Sequence, residues 1–129
     1  MHITSRDNSL LRQARRVRDG KETELIFIEG LRLAEEAQLS GLEIEAAIFS
    51  DELARKERVA SSLQTIEAVS ERTATVSEKL LESISYTKTP QGIVLLARRP
   101  QTGKEKLSAT AKGALLVVLH QINNPVNVG

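Results

Sequence analysis

The sequence predicts an α/β fold, a three-layer α/β/α sandwich with helices on both faces of a mostly parallel sheet. Segments with helical apolar spacing alternate with short apolar runs along the 129 residues, and the connections between them are short. The hydrophobic content is 40% and the aromatic content only 2%, which indicates an aliphatic core. A chain of this length suits one globular domain, or one domain with part of a second.

The first part of the chain predicts a helix, a strand and a second helix. Residues 8–18 are predicted as a helix because four apolar residues form one stripe at helical spacing, namely Leu10, Leu11, Ala14 and Val17. Residues 25–28 are continuously apolar, which is typical of a strand buried on both faces. The second helix is predicted over residues 30–40, and Gly41 follows its end.

The remaining elements complete a set of four strands and four helices within the first 98 residues. Helix starts are indicated by Ser50 or Asp51 before the third helix and by Ser77 before the fourth. Short apolar runs indicate the other strands. The predicted order is a strand at 44–49, a helix at 51–62, a strand at 65–69, a helix at 77–83 and a strand at 93–97.

The composition changes after the fourth strand. Residues 99–113 are rich in Lys, Thr, Ser and Gly without apolar periodicity, which predicts a linker. Residues 114–119 are the strongest buried-strand pattern of the chain and are followed by a polar turn. Since a buried parallel strand needs a following helix, we expect residues 1–98 to be one complete domain and 114–129 the start of another.

Composition excludes several classes of protein. The chain has no cysteine, so disulfides, cysteine-ligated zinc and thiol nucleophiles are excluded. The first residues do not form a secretory signal, and no apolar run has the length of a membrane span, so we expect no membrane partner and a cytoplasmic location. His2 and His120 lack the spacing of metal ligands, so no metal site is expected.

Charge is distributed unevenly although the net charge is only +1. Residues 6–21 contain six basic and two acidic side chains, and residues 83–129 contain six basic and one acidic. Residues 22–82 contain six basic and fourteen acidic side chains. If the two basic ends fold together, they give one basic face, which is typical of a nucleic-acid-binding protein. The alternative is that these charges are scattered over the surface and only solvate it.

The first helix carries the clearest candidate for nucleic-acid contact. Arg12, Arg15 and Arg16 fall within an arc of about 100° opposite the apolar stripe. Three guanidinium groups on one helix face can bind successive phosphates through charge-assisted hydrogen bonds. The alternative is an ordinary solvated helix face, but Arg12 has no acidic residue one turn away in either direction.

The segment from Thr87 to Gly92 is a second, weaker candidate. Its Pro-Gln-Gly sequence is typical of a turn, which favours a structural role, while Lys88 and Gln91 could still reach a polyanion. At the junction before the second helix, Glu29 would repel phosphate, so we interpret it as a capping residue or the partner of a basic side chain.

The last residues carry the most specific pattern. Residues 119–129, Leu-His-Gln-Ile-Asn-Asn-Pro-Val-Asn-Val-Gly, resemble the first motif of the SpoU (TrmH-like) RNA 2′-O-ribose methyltransferases of the SPOUT superfamily. The front of the chain agrees, because residues 3–12, 26–37 and 89–93 resemble that family's N-terminal substrate-binding domain in the usual order. His120 and Val126 depart from the family pattern, which indicates a divergent member.

The resemblance implies a fold and a set of site residues. It implies an L30e-like sandwich for residues 1–98, a linker at 99–113, and the first strand and loop of a knotted methyltransferase domain at 114–129. The family's motif asparagine corresponds to Asn127, whose arginine partner would lie beyond Gly129. The RNA-binding residues expected from the basic helix, the turn and the resemblance are Asn8, Arg12, Arg15, Arg16, Lys88 and Gln91.

We therefore predict the RNA-recognition portion of an enzyme that transfers a methyl group from S-adenosylmethionine to a ribose 2′-OH of ribosomal or transfer RNA. The fragment is expected to be inactive, to bind structured RNA, to bind no cofactor and to be monomeric, while the parent enzyme dimerises through the missing domain. One alternative is a stand-alone RNA-binding module similar to L30e and L7Ae. Another is a protein-interaction domain whose acidic middle binds a basic partner.

Overall fold

The computed structural model describes residues 1–88 and 90–100. Within them the chain forms five α-helices, four strands and one 3₁₀ turn. In chain order these are α1 (Ser9–Arg18), β1 (Leu25–Glu29), α2 (Leu31–Leu39), β2 (Ile44–Ser50), α3 (Asp51–Ala54), the 3₁₀ turn (Glu57–Val59), α4 (Ala60–Val69), β3 (Ser70–Val76), α5 (Glu78–Ile84) and β4 (Ile93–Arg98).

The four strands form one mixed sheet in the order β1-β4-β2-β3. β2 and β3 are parallel, whereas β4 is antiparallel to both of its neighbours. The prediction of a mostly parallel sheet is therefore wrong. The reason is that the loop before β4 is hydrogen-bonded to the carboxyl ends of β1 and β2, through Glu29 and Ser50, so β4 starts where the other strands finish.

Two aliphatic clusters lie on opposite faces of the sheet. One joins α1 and α5 to alternate residues of the strands, such as Phe27 and Leu96. The other cluster joins α2, α3 and α4 to the intervening strand residues, which lie on the opposite face of the sheet, such as Ile28 and Leu95. Helices thus cover both faces of the sheet, and the α/β class is confirmed. The specific likeness to L30e stays a prediction.

Most of the local patterns identify their elements correctly. The buried residues of α1 are the predicted stripe, Leu10, Leu11, Ala14 and Val17. β1, α2, β2, α5 and β4 lie within one or two residues of their predicted bounds. Ser50 and Ser77 cap α3 and α5, and Gly41 has the positive φ of 76° expected after a helix.

The region 51–76 differs from the prediction. The predicted helix over 51–62 is split into α3, the 3₁₀ turn and the start of α4. The predicted strand over 65–69 is helical, because Leu63 and Ile66 point into the core one helical turn apart. The third strand is instead β3, whose first residues are exposed or half-buried at the edge of the sheet, so it lacks a continuous apolar run.

The N-terminus borders the outer edge of β3. The Ile3 amide donates to the Thr75 carbonyl at 2.9 Å, and the Thr75 amide donates to the Met1 carbonyl at 2.8 Å. Ile3 is buried in the same cluster as α1. These bonds satisfy backbone groups that an edge strand would otherwise leave open.

The predicted second domain lies outside the described residues. Of the predicted linker, Arg99 and Pro100 are described, and the Arg99 amide donates to the Glu24 carbonyl at 2.8 Å. Among the helices of residues 1–88 and 90–100, none is long and apolar enough to cross a membrane.

Candidate nucleic-acid interface

Helix α1 presents two exposed arginines on a rigid support. Its apolar stripe is fully buried, and Asn8 caps its first turn by accepting from the Leu10 amide at 2.8 Å. Arg12 and Arg16 follow each other by one turn on the outer side and are exposed. In the described part of the chain, neither guanidinium group donates a hydrogen bond or pairs with a carboxylate. Both guanidinium groups are therefore available to bind an anion.

A surface depression of about 520 Å³ lies beside these arginines. We call it the α1–β3 depression, because it combines the outer side of α1 with one residue of β3. Its lining residues are Ser9, Arg12, Gln13, Arg16, Glu22 and Arg72. Three guanidinium groups and one carboxylate line it, so its charge favours an anionic ligand.

Gln13 connects the helix to the sheet beneath this depression. Its side-chain oxygen accepts from Arg72 Nη2 at 2.8 Å. Its side-chain nitrogen donates to Glu45 at 3.1 Å and to Glu22 at 3.3 Å. Arg72 Nη2 also donates to Glu45 at 3.0 Å, so the four side chains form one hydrogen-bonded group.

Arg15 differs from Arg12 and Arg16, although all three fall within the predicted arc. Its Nη2 donates to the Arg6 carbonyl at 2.8 Å, and its Nη1 is buried without a hydrogen-bond partner among the described residues. Burial, with a smaller contribution from the charge of Arg6, lowers the pKa of Arg15 below its ordinary value. The structure therefore places Arg15 in the packing of α1 rather than beside the other two arginines.

Arg18 fixes the end of α1 to the end of α5 and the residues that follow it. Its guanidinium donates to the Ser83 carbonyl at 3.1 Å and to Asp19 at 2.9 Å. The hydrogen bond from Arg18 holds the pKa of Asp19 below its ordinary value. The Tyr86 hydroxyl also donates to the Arg18 carbonyl at 2.9 Å, so each of the two segments donates a hydrogen bond to the other.

Glu29 organises the loop that precedes β4. One carboxylate oxygen accepts from the Tyr86 amide at 3.0 Å, and the other accepts from the Ser85 hydroxyl. Glu29 has a structural role, but its partners are a hydroxyl and an amide, so the prediction of a helix cap or of a basic partner is wrong in its specific form. Tyr86 also packs edge-on against Phe27, with ring centroids 4.9 Å apart.

The second half of this loop depends on two glycines. Gly92 has a φ of 89°, and a Cβ there would lie 3.0 Å from the Cβ of Leu53. Gly30 has a φ of 102°, and its missing Cβ would lie 3.1 Å from the side-chain oxygen of Gln91. Gln91 therefore lies over the start of α2, while Lys88 is exposed at the other end of the loop.

The structure separates the two predicted groups of RNA-binding residues. In the α1–β3 depression, Arg72 pairs with Ala46 near the start of β2. At the loop, the Gly92 carbonyl accepts from the amide of Ser50, the last residue of β2. Four residues of extended strand span about 13 Å, so Arg12 and Arg16 lie near one end of the sheet and Lys88 and Gln91 near the other.

Two further predictions concern the motif asparagine and metal binding. Asn127 lies outside the described residues, so its role stays a prediction. No group of side chains able to hold a metal ion occurs within residues 1–88 and 90–100.

Arg72 is the residue of the depression that sequence reasoning missed. It belongs to the acidic middle of the chain and to a strand that was predicted elsewhere. The Arg72-Thr73-Ala74-Thr75-Val76 alternation of polar and apolar residues is the one signal that could have identified the strand. It would not have placed Arg72 next to α1.

Comparison with known proteins identifies the family of this domain. Residues 9–95 match the family model of the MRM3-like substrate binding domain, which is well over half of the chain. No curated protein matches the chain significantly.

Solved structures give the same result. An RNA 2′-O ribose methyltransferase is 28% identical with a TM-score of 0.63, and the match covers 81% of this chain and 40% of that one. An rRNA methyltransferase from Sinorhizobium meliloti is 21% identical with a TM-score of 0.64, covering 79% and 38%, and has an AdoMet-bound counterpart. The SpoU methyltransferase AviRb from Streptomyces viridochromogenes is 14% identical with a TM-score of 0.57, covering 78% and 36%.

The chain spans about two fifths of the length of these structures. The predicted resemblance to RNA 2′-O-ribose methyltransferases is confirmed by the family model together with the structure that is 28% identical. The chain belongs to the MRM3-like substrate-binding domain family.

Proposed function

We propose that residues 1–98 form the RNA-binding domain of an RNA 2′-O-ribose methyltransferase. The observation that carries the proposal is the substrate-binding family match over residues 9–95, which contains α1 and the loop before β4. Within that match, Arg12 and Arg16 are exposed on a helix whose other side is fixed in the core. The substrate is a structured ribosomal or transfer RNA.

Phosphate contact is the chemistry that these arginines offer. A guanidinium forms two parallel hydrogen bonds to phosphate and keeps its charge at every physiological pH. Because α1 is packed against the core, its backbone loses little conformational freedom when RNA binds. Lys88 and Gln91 provide a second, smaller contact area at the opposite end of the sheet, with Asn8 and Arg15 supporting α1 from its first turn and its flank.

The parent enzyme transfers a methyl group from S-adenosylmethionine to a ribose 2′-OH. A depression lined by three guanidinium groups does not suit the positively charged sulfonium of that cofactor. We therefore assign cofactor binding to the catalytic domain that residues 114–129 begin, with Asn127 close to the RNA ribose or phosphate. The parent dimerises through that domain, and the 129-residue chain is a monomer without activity of its own.

The RNA-binding proposal is tested by reversing the charge of the two exposed arginines. The R12E/R16E variant of the full chain is compared with R55E/R58E, which makes the same charge change at exposed arginines beyond α3, on the opposite face of the sheet. Binding of a fluorescein-labelled RNA hairpin is measured by anisotropy at low salt. We expect R12E/R16E to lose at least about tenfold in affinity and R55E/R58E to change little.

Two results would contradict the proposal. One is wild-type protein that does not bind the hairpin at low salt. The other is R12E/R16E that binds as tightly as wild type while its urea unfolding midpoint is unchanged. Arg15 is left intact because its replacement would also remove a hydrogen bond to the Arg6 carbonyl.

The inactivity of the fragment is tested separately. Purified 129-residue chain is incubated with RNA and methyl-labelled S-adenosylmethionine, beside an active RNA 2′-O-ribose methyltransferase as positive control. We expect no label in the RNA from the fragment. Methyl transfer by the fragment would show that residues 1–129 contain a complete active site.

A further inference from the structure

Arg72 is the basic side chain of the α1–β3 depression that comes from the sheet. It lies on the edge strand β3, and its side chain is 41% exposed. Its Nη2 donates both to Gln13 at 2.8 Å and to Glu45 at 3.0 Å. Both of these bonds use the same nitrogen, so Nε and Nη1 have no acceptor among the described residues.

This arrangement orients one edge of the guanidinium toward the protein and leaves the other open. Arginine has five N–H donors in a fixed plane, and both pairs that bind a phosphate in a bidentate manner include Nη2, so here Nε and Nη1 are left to donate singly to phosphate oxygens. The acceptors at Nη2 fix the plane, while the remaining donors stay available.

The local charges indicate what the open donors bind. The lining of the depression contains Arg12, Arg16 and Arg72 against Glu22 alone. Glu45 is shared, because it also lies 3.7 Å from Arg98 Nε, so it does not neutralise Arg72 by itself. The depression therefore keeps an excess of positive charge, and phosphodiester groups carry one negative charge each.

We propose that Arg72 is a third phosphodiester-binding residue, which acts with Arg12 and Arg16 on neighbouring phosphates of one RNA. Gln13 is the positioning residue that holds the Arg72 guanidinium toward α1. This inference rests on the proposed RNA-binding function and names the backbone of the RNA as the ligand of the depression. It brings a residue of the acidic middle of the chain into the binding surface.

The principal test replaces Arg72 by glutamine in the full chain. The matched control is Arg32→Gln, which removes one exposed arginine from α2 on the opposite face of the sheet. Anisotropy with two RNA hairpins of different sequence is measured across a salt series. We expect R72Q to weaken binding of both hairpins by about threefold to tenfold and to lower the slope of log Kd against log salt by about 0.7–0.9, with R32Q unchanged.

Arg72→Lys separates the charge of the side chain from the planar geometry of the guanidinium. Lysine keeps one positive charge but has no fixed plane in which some donors bond to Gln13 and Glu45 while others face the depression. We expect R72K to retain the salt dependence of the wild type and to bind with an affinity between wild type and R72Q. This variant also checks that R72Q does not act by disturbing the fold, because both variants lose the same arginine geometry at Glu45.

Gln13 is tested through its dependence on Arg72. Gln13→Leu removes both of its hydrogen-bonding groups at similar volume, and we expect affinity to fall about twofold to fivefold. If Gln13 acts by holding Arg72, the double variant Q13L/R72Q binds no more weakly than R72Q. A structural role for Gln13 would instead give additive losses in the two variants.

Replacing Glu22 is expected to change the RNA affinity in the opposite direction. Its carboxylate lines the depression and would repel phosphate, so Glu22→Gln is expected to tighten hairpin binding by about twofold to fivefold. Unchanged or weaker binding by E22Q would contradict the phosphate site.

The results distinguish this inference from the proposed function. If the wild type binds RNA and R12E/R16E does not, but R72Q behaves like R32Q in affinity and salt slope, then the role of Arg72 is wrong and the RNA-binding domain stands. If the wild type does not bind either hairpin, both proposals fail.

Discussion

The two ends of the sheet use their polar side chains in opposite ways. At the α1–β3 depression, Arg12 and Arg16 make no hydrogen bond from their guanidinium groups within residues 1–88 and 90–100. At the loop before β4, Glu29, Ser85 and Tyr86 are bonded to each other, and Tyr86 is bonded back to α1. The depression therefore presents two unpaired arginines beside the hydrogen-bonded group around Gln13, whereas Glu29, Ser85 and Tyr86 of the loop bond to the protein itself.

This difference separates residues that hold the fold from residues available to a ligand. A buried or half-buried polar group without a partner costs stability, so the bonded groups of the loop are expected to respond to substitution through stability. Exposed charges contribute little to stability, so Arg12 and Arg16 are expected to respond through binding. Substitutions of Glu29, Ser85 or Tyr86 should therefore change stability more than binding, and substitutions of Arg12 or Arg16 should change binding more than stability.

Gly92→Ala should have the largest effect and tests the loop end. Its φ of 89° is strained for alanine, and the new Cβ would contact Leu53 at 3.0 Å. We expect the free energy of unfolding to fall by about 2–5 kcal/mol in urea titrations. Gly20→Ala is the matched control, because Gly20 has a similar φ of 77° but open space, and should lose only about 1–2 kcal/mol. Equal losses would show that packing against Leu53 does not restrict the loop.

Glu29→Ala tests the hydrogen bonds of the same loop. It leaves the Tyr86 amide and the Ser85 hydroxyl without their carboxylate acceptor. The expected loss in the free energy of unfolding is about 1–3 kcal/mol. Glu24→Ala removes an exposed carboxylate just before β1 and should change stability by less than about 0.5 kcal/mol. Similar losses in both variants would contradict the role of Glu29.

Substitution of basic residues by glutamine compares the contributions of the two ends of the sheet to RNA binding. We expect R12Q/R16Q to weaken hairpin binding by about tenfold or more, and Lys88→Gln by about threefold or less, because the loop offers one exposed cation. Anisotropy at matched low salt measures both, and urea unfolding should show little change in either. A larger loss for Lys88→Gln would make the loop, rather than the α1–β3 depression, the main contact with RNA.

Tyr86 gives the smallest and most specific effect. Burial is the main cause that raises the pKa of its hydroxyl above the ordinary value of 10.0. Because the folded state keeps the proton more firmly than the unfolded state, this stability is present below pH 10 and is lost as pH rises through the raised pKa. We expect Tyr86→Phe to show a smaller fall in unfolding free energy between about pH 9 and about pH 11 than wild type. If the unfolding free energies of Tyr86→Phe and wild type have the same pH dependence, this role of the Tyr86 hydroxyl is contradicted.

Sequence reasoning succeeded where a pattern is both local and strongly apolar. The stripe of α1 and the apolar runs of β1 and β4 are visible in a few residues, and each element was found there. It failed at β3, because five of the seven residues of Ser70–Val76 are polar and its first residues are exposed or half-buried. The apolar residues of α4 were instead read as a strand, since a short run does not distinguish the two periods.

The candidate site shows the same division. Arg12 and Arg16 were identified because their positions on one helix face follow from helical geometry alone. Arg15 was grouped with them, although it bonds to the Arg6 carbonyl, and that contact is not encoded in the helix. Gln13 and Arg72 are 59 residues apart, so their bond could not be inferred from spacing.

The sequence by itself determined the α/β class, the aliphatic core, the basic face of α1 and the resemblance to RNA methyltransferases. These properties depend on composition, on periodicity and on short motifs, all of which involve residues that are close together in the sequence. Only the tertiary structure decided the reversed direction of β4, the separation of Lys88 from Arg12, and the place of Arg72 beside α1. These depend on which distant segments pair in the sheet, because hydrogen bonds and buried contacts between strands are made across space and leave no period in the sequence.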